Sequence, residues 1–184
     1  PRFRFAAPVY GCGFLGEDSA WLKEFARMGP ERSGKWLRLW DPGSYLPLSR
    51  HRMLWVTGTN DFAYPPPSLQ KSYRLPKGPR MLAMRVRMPH NHNDGARAEE
   101  IHALANALLR GDSRAMPPRI VSASTRGGVV TARYRSPHPV TRAELNFTTD
   151  QGRWQERKWQ TVPATLDTRR RQASAKVPGG ARAW

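Results

Sequence analysis

Cysteine is nearly absent. Cys12 is the single thiol in 184 residues, which excludes an internal disulfide framework and any multi-cysteine zinc site. Long apolar runs are missing too: no window approaches the roughly 18 apolar residues that span a bilayer. The opening "PRFRFAAPVYGCGF" has neither the apolar core nor the cleavage site of a signal peptide. Acidic residues are scarce, 14 Asp/Glu against 31 Lys/Arg, for a net charge of +17 and a pI near 11.3. Such an excess by itself points to nucleic acid or an anionic surface. Its distribution argues otherwise, since residues 1–116 carry 18 Lys/Arg against 10 Asp/Glu and residues 117–184 carry 13 against 4, so neither part is a basic tail. Arg outnumbers Lys 25 to 6, a skew that genome base composition produces without a functional cause. "TRRRQ" (Thr168 to Gln172) is the one real cluster, and it reads as an exposed sheet edge where positive charge discourages strand pairing. The expectation is therefore a solvated basic surface and no nucleic-acid partner.

What is present is a well-supplied core: 39% of residues are hydrophobic, 10% are aromatic and seven are Trp. From Arg4 to about Gly111, apolar runs alternate with helical patterns. "RFAAPVYGCG", "HRMLWVTG" and "PRMLAMRVRMPH" read as strands, the last with Leu82, Met84, Val86 and Met88 alternating against Ala83, Arg85 and Arg87. "EDSAWLKEFARMG" reads as a helix stopped by Gly29-Pro30, with "SGKWLRLWDPGSYL" after it as an aromatic, turn-rich stretch. "PPPSLQKSYRLPKG" and "DGARAEEIHALANALLRGD" complete the helices. Strand, helix, strand, helix predicts α/β: a parallel sheet covered by helices on both faces. After "RGDSRAMPPR" the helical period ends, and short β-like runs separated by turn signals follow, five in about 65 residues. These predict a small immunoglobulin-like β-sandwich. The expected domains are 1–112, a linker at 113–118, and the sandwich at 119–184. With no Met at position 1 and a strand-like "ARAW" at the close, the chain is expected to be truncated at both ends.

The chemistry gathers at two strand ends. Asp61 closes the "MLWV" strand in the turn "TGTND", and His90 and His92 follow the next strand in "MPHNHND". In open α/β sheets functional groups lie just past the carboxyl ends of strands, so neighbouring parallel strands would bring a carboxylate and an imidazole to one edge. The carboxylate can accept the histidine's Nδ1–H, fix its tautomer and stabilise the imidazolium formed when the other nitrogen takes a proton. Taken singly, Asp61 is as good a turn former or helix cap, and either histidine as good a solvated loop residue.

The stretches "RFAAPVYGCGFLGEDSAW", "LWVTGTNDFAYP", "SLQKSYRL" and "MPHNHNDG" resemble the carboxyl-terminal half of the α/β-hydrolase family, in its bacterial prolyl-oligopeptidase-like or acetyl-xylan-esterase-like group. The likeness covers about residues 1–111. It implies a serine esterase or peptidase needing no cofactor and no metal, with Asp61 as the acid and His90 as the base, His92 being the alternative base. The pattern departs from the family in one respect: no serine lies in a G-x-S-x-G elbow, Ser19, Ser33 and Ser44 included. Cys12 sits in "YGCGF", but G-C-G is not the elbow spacing, and the residue reads better as a small buried thiol. The nucleophile and the oxyanion donors are therefore expected upstream of Pro1, leaving the chain alone nearly inactive. Expected substrates are a small ester, a carbohydrate ester or a peptide, and a secreted or periplasmic setting fits them. The competing expectations are an inactive hydrolase-like binding protein and a basic nucleic-acid-binding protein. "HNHND" also offers His90, His92 and Asp94 to a cation, with no further ligands to complete a shell. "WLRLWDPGSYLP" would either line a pocket or pack Trp36 and Trp40 into the core.

Overall fold

In the computed structural model, which describes residues 2–184, the chain is a mixture of helices with one parallel and two antiparallel sheets. It divides into two compact units, the first ending at Ala98 and the second spanning Glu99–Trp184.

The first unit is built around β1 (Phe5–Ala6), β2 (Arg52–Gly58) and β3 (Arg80–Arg85), parallel and in that spatial order. Val9 extends the β1 side with a parallel bridge to Val56. β2 is the central strand, and its "MLWVTG" is buried throughout, as a strand flanked on both sides and covered on both faces must be. Trp55, Met53, Cys12, Leu46 and Leu69 form the core cluster, against which Tyr64, Tyr73 and Leu75 pack. β3 lies at the sheet edge, so its alternation serves one face only. Met81 is buried there, while Leu82 and Met84 are exposed.

Helix α1 (Leu22–Trp40) breaks at Gly29, whose φ of 77° is outside the helical region, and resumes at Pro30. Gly29-Pro30 thus ends one helix and starts another: proline cannot continue the first but fits the opening turn of the second. The stretch expected to be turn-rich is helical as far as Trp40. No residue of α1 is buried, and Trp40 is among the most exposed side chains, so Trp40 does not pack into the core. Helix α2 (Pro66–Arg74) begins with prolines in its first turn and buries Leu69, Ser68 and Ser72. Its serines stitch the segment after β1 to the helix. Ser72 Oγ accepts from Gly13 N at 2.8 Å and donates to Ser68 O, and Ser68 Oγ donates to Asp18 O. A short helix, α3 (His92–Ala96), follows β3.

The second unit opens with helix α4 (Glu99–Leu109), which packs against the turn at Ser113–Ala115. The single helix expected from residue 94 onward is thus two helices, α3 and α4. β4 (Arg119–Arg126), β5 (Val129–Arg135), β6 (Glu144–Phe147), β7 (Gln160–Pro163), β8 (Thr165–Asp167) and β9 (Gln172–Lys176) follow. They form a four-stranded antiparallel sheet in the order β4-β5-β9-β8 and a two-stranded β6-β7 sheet. "TRRRQ" is a hairpin turn, not a sheet edge. It joins β8 to β9, with Arg171 left-handed at φ 52° and Asp167 Oδ1 accepting from Arg170 N at 2.9 Å. Among the described residues no helix is long and apolar enough to cross a membrane.

Candidate active site

Each strand of the parallel sheet delivers one side chain to its carboxyl edge: Tyr10 follows the β1 side, Asp61 follows β2, and His90 follows β3. Two turns hold the edge together. Thr59 N donates to Arg85 O at 3.0 Å, and Thr59 Oγ1 accepts from Arg87 N at 3.0 Å, so the turn after β2 is tied to the turn after β3. Arg87 takes a left-handed φ of 55° to make that turn. Gly58 is required by close approach, since a Cβ there would lie 2.4 Å from Met88 O, two residues before His90.

Asp61 is fully buried, and its carboxylate is surrounded by donors. Oδ1 accepts from Ala63 N and Tyr64 N, both at 2.8 Å, and Thr57 Oγ1 lies 3.4 Å from Oδ2. His90 Nδ1 is 3.0 Å from both carboxylate oxygens. An ionised carboxylate only accepts, so the hydrogen is on Nδ1 and the neutral ring presents Nε2 as a lone pair. The imidazole is 24% exposed. One face is held and the other open: a buried carboxylate orients a ring whose free nitrogen can still meet a substrate.

Aromatic rings surround that imidazole. Tyr10 stacks on it with centroids 4.3 Å apart and planes 25° apart, and Phe62 and Tyr64 lie at 5.2 and 5.8 Å, tilted. Trp21 Nε1 donates to Tyr64 Oη at 3.3 Å. Tyr10 Oη lies 2.7 Å from Pro89 O and 3.1 Å from Asn91 O, its one hydrogen shared between the two carbonyls. Burial pushes the Tyr10 phenol above its usual 10.0, with the nearby Asp94 and Asp61 charges adding to it, so the hydroxyl stays a donor at neutral pH. Tyr10 also has φ 61°, a left-handed conformation that costs a non-glycine residue about 1–3 kcal/mol.

The structure brings Asp61 and His90 together and leaves His92 apart. His92 opens α3, exposed. "HNHND" is a helix start, in which Asn91 Oδ1 accepts from Asp94 N at 2.9 Å and Asn91 Nδ2 donates to Asp94 Oδ2 at 2.6 Å. Asp94 is thereby committed to the cap. The sequence reading missed Tyr10, Phe62 and Tyr64. Tyr10 had one available signal, its place after the first strand in a sheet whose other two strands are followed by the candidate residues Asp61 and His90.

Cys12 lies in the core cluster with its thiol beside Ser72, and desolvation raises its pKa from 9.0 to about 12. It is a neutral packing group. Gly13, its neighbour, is needed for close approach, because a Cβ there would lie 2.3 Å from Gly43 N and 2.7 Å from Asp41 Oδ1. Two outcomes follow for Cys12. Native protein at pH 8.5 should resist alkylation by iodoacetamide over hours and react only once denatured, as mass spectrometry would read. The folded state also holds this proton more tightly than the unfolded chain. Its contribution to stability is therefore complete below pH 9 and is lost as pH rises from about 9 toward 12. Rapid labelling of the native thiol would contradict the assignment.

Asp41 is a second buried carboxylate with a different task. It accepts from Phe14 N, Leu15 N and Gly43 N at 3.0, 2.8 and 2.6 Å, pinning the chain after β1 to the turn that follows α1. Among the described residues, no serine or cysteine side chain is hydrogen-bonded to His90. No family model, curated protein or solved structure compared with this chain matches it.

Proposed function

We propose that the first unit supplies the acid and base of a serine hydrolase, with the nucleophilic serine and the oxyanion donors contributed by residues outside this sequence. The observation that carries this reading is the imidazole held at Nδ1 by a buried carboxylate, on the carboxyl edge of a parallel sheet, with Nε2 free. In the reaction, Nε2 of His90 takes the serine hydroxyl proton as its oxygen attacks an ester or amide carbonyl. Asp61 stabilises the imidazolium, which then gives that proton to the leaving alcohol or amine. Water, activated the same way, releases the acid and restores the serine. On this reading the sheet β1-β2-β3 belongs to an α/β-hydrolase core, and the strands after Pro118 form an immunoglobulin-like sandwich. An ester, including a carbohydrate ester, is favoured over a peptide, because among the described residues no feature is dedicated to a peptide terminus.

The test starts from the open reading frame that encodes the chain, extended upstream by about 150 residues. A G-x-S-x-G between a strand and a helix should be present there. The extended protein should hydrolyse p-nitrophenyl acetate and take a fluorophosphonate label on that serine. His90→Ala should abolish labelling and His92→Ala should not. A missing elbow, or labelling that survives His90→Ala, would end the hydrolase reading and favour a binding protein.

A further inference from the structure

We infer that Tyr10 is a positioning residue for the base: it fixes the ring plane and the backbone of His90, and so keeps Nδ1 on Asp61 and Nε2 toward the substrate. The inference rests on the hydrolase reading of the Asp61–His90 pair. Four observations converge on it. The phenol ring stacks on the imidazole at 4.3 Å and 25°. The hydroxyl shares its one hydrogen between the carbonyls of Pro89 at 2.7 Å and Asn91 at 3.1 Å, the residues on either side of His90, so one side chain meets both the ring and the peptides that carry it. The phenol also lies against α3, where a Cβ on Gly95 would come 3.1 Å from Tyr10 Cε2 and 3.5 Å from its Oη. A side chain larger than glycine at position 95 would therefore press on the Tyr10 ring. The backbone of Tyr10 is left-handed at φ 61°, which L residues rarely adopt and bulky ones least.

An ordinary core tyrosine needs none of these together. Apolar packing alone is satisfied by a relaxed backbone and any partner for the hydroxyl. Here the strained turn is what aims the ring under the imidazole, and both carbonyls it ties belong to the base's own loop. The clamp acts through His90 and touches no reacting atom. Freezing the imidazole before substrate arrives reduces the reorganisation needed at the moment of proton transfer.

The test is made on the chain as it exists, with ¹⁵N-histidine labelling and proton NMR. Wild type should show a downfield, slowly exchanging Nδ1–H assigned to His90 by its loss in His90→Ala, with nitrogen shifts of the Nδ1–H tautomer. Tyr10→Phe keeps the stack but loses the hydroxyl, and should speed exchange of that proton about tenfold. Tyr10→Leu should broaden it beyond detection and mix the two tautomers. Gly95→Ala leaves Tyr10 in the chain but pushes its ring, and should give the intermediate behaviour of Tyr10→Phe, so the inference stays testable even where Tyr10→Leu does not fold. In the extended enzyme, Tyr10→Phe should lower kcat about tenfold with KM unchanged. Failure of the pair and failure of the clamp give different results. Wild type lacking the downfield proton would sink the Asp61–His90 reading and the inference with it. A wild-type proton that persists unaltered in folded Tyr10→Leu or Gly95→Ala would sink the inference alone.

Discussion

Asp61→Asn, made in the upstream-extended protein, is expected on the proposed hydrolase reading to lower kcat about 10⁴-fold, the loss typical when a triad aspartate becomes an amide. The reason lies in which donors face which oxygen. Ala63 N and Tyr64 N both point at Oδ1, so the amide oxygen of asparagine must take that side, since its NH₂ would meet two donors there. The NH₂ then occupies the Oδ2 position, facing Thr57 Oγ1 and His90 Nδ1, and of the two oxygens that Nδ1 meets at 3.0 Å only Oδ1, already taken by two backbone amides, is left to accept. A donor now confronts the Nδ1 hydrogen. The imidazole escapes by moving its hydrogen to Nε2, and accepts from the amide at Nδ1. That tautomer has no lone pair for the serine. The fold should survive with a loss of about 1–3 kcal/mol, the usual consequence of a mispaired buried polar group. Asp41→Asn is the matched control, because Asp41 contacts three backbone amides and no imidazole. It should lower stability by a similar amount while turnover per folded molecule is kept. Initial rates on p-nitrophenyl acetate, normalised to the folded fraction, separate the two. Turnover within tenfold of wild type in Asp61→Asn would mean that the pair is structural.

The pairing of Asp61 with an imidazole was legible because it depends on strand order, and strand order follows from apolar runs broken by turn signals. "MLWV" and "MLAMRVRM" had to be neighbours for a short connection through α2, and residues just past parallel strand ends share an edge. The choice between His90 and His92 was not legible, because it turns on a local event. Asn91 caps α3, which sends His92 outward at the helix start and leaves His90 on the sheet side. Tyr10 was hidden for a related reason. Its role depends on a left-handed φ that propensity assigns to glycine or asparagine, and "VYGCG" offers two glycines as better candidates for the turn. Of the two expectations for the aromatic segment, a pocket lining or core packing of Trp36 and Trp40, the second fails for Trp40, because α1 buries none of its residues. "TRRRQ" was misplaced because charge runs do not distinguish an edge from a turn. The hydrogen bond from Arg170 N to Asp167 does, and it is formed by a residue just outside the run.

Gly58→Ala should damage the site from the last residue of β2, three positions before Asp61. A Cβ added there would lie 2.4 Å from Met88 O, 3.1 Å from Met88 Cβ and 3.2 Å from its carbonyl carbon. Two of those atoms are backbone, so no side-chain rotation relieves the clash, and the segment carrying His90 has to move away from the strand carrying Asp61. Overpacking of this kind costs about 1–3 kcal/mol, which a chemical denaturation curve would resolve. The catalytic loss should be disproportionate. A displacement of about 1 Å in a reacting group costs on the order of 10²-fold in rate, and here the displacement opens a pair held at 3.0 Å on both oxygens. The downfield Nδ1–H of His90 should weaken in the same variant. Gly34→Ala supplies the contrast, since nothing lies within 4 Å of its Cβ position in α1, and alanine is the better helix former by about 1 kcal/mol. That variant should be as stable as wild type or more so, with activity unchanged. If Gly58→Ala instead kept full turnover and the His90 proton, the turn after β2 and the turn after β3 would be independent, and their mutual hydrogen bonds through Thr59 would not be what sets the distance between acid and base.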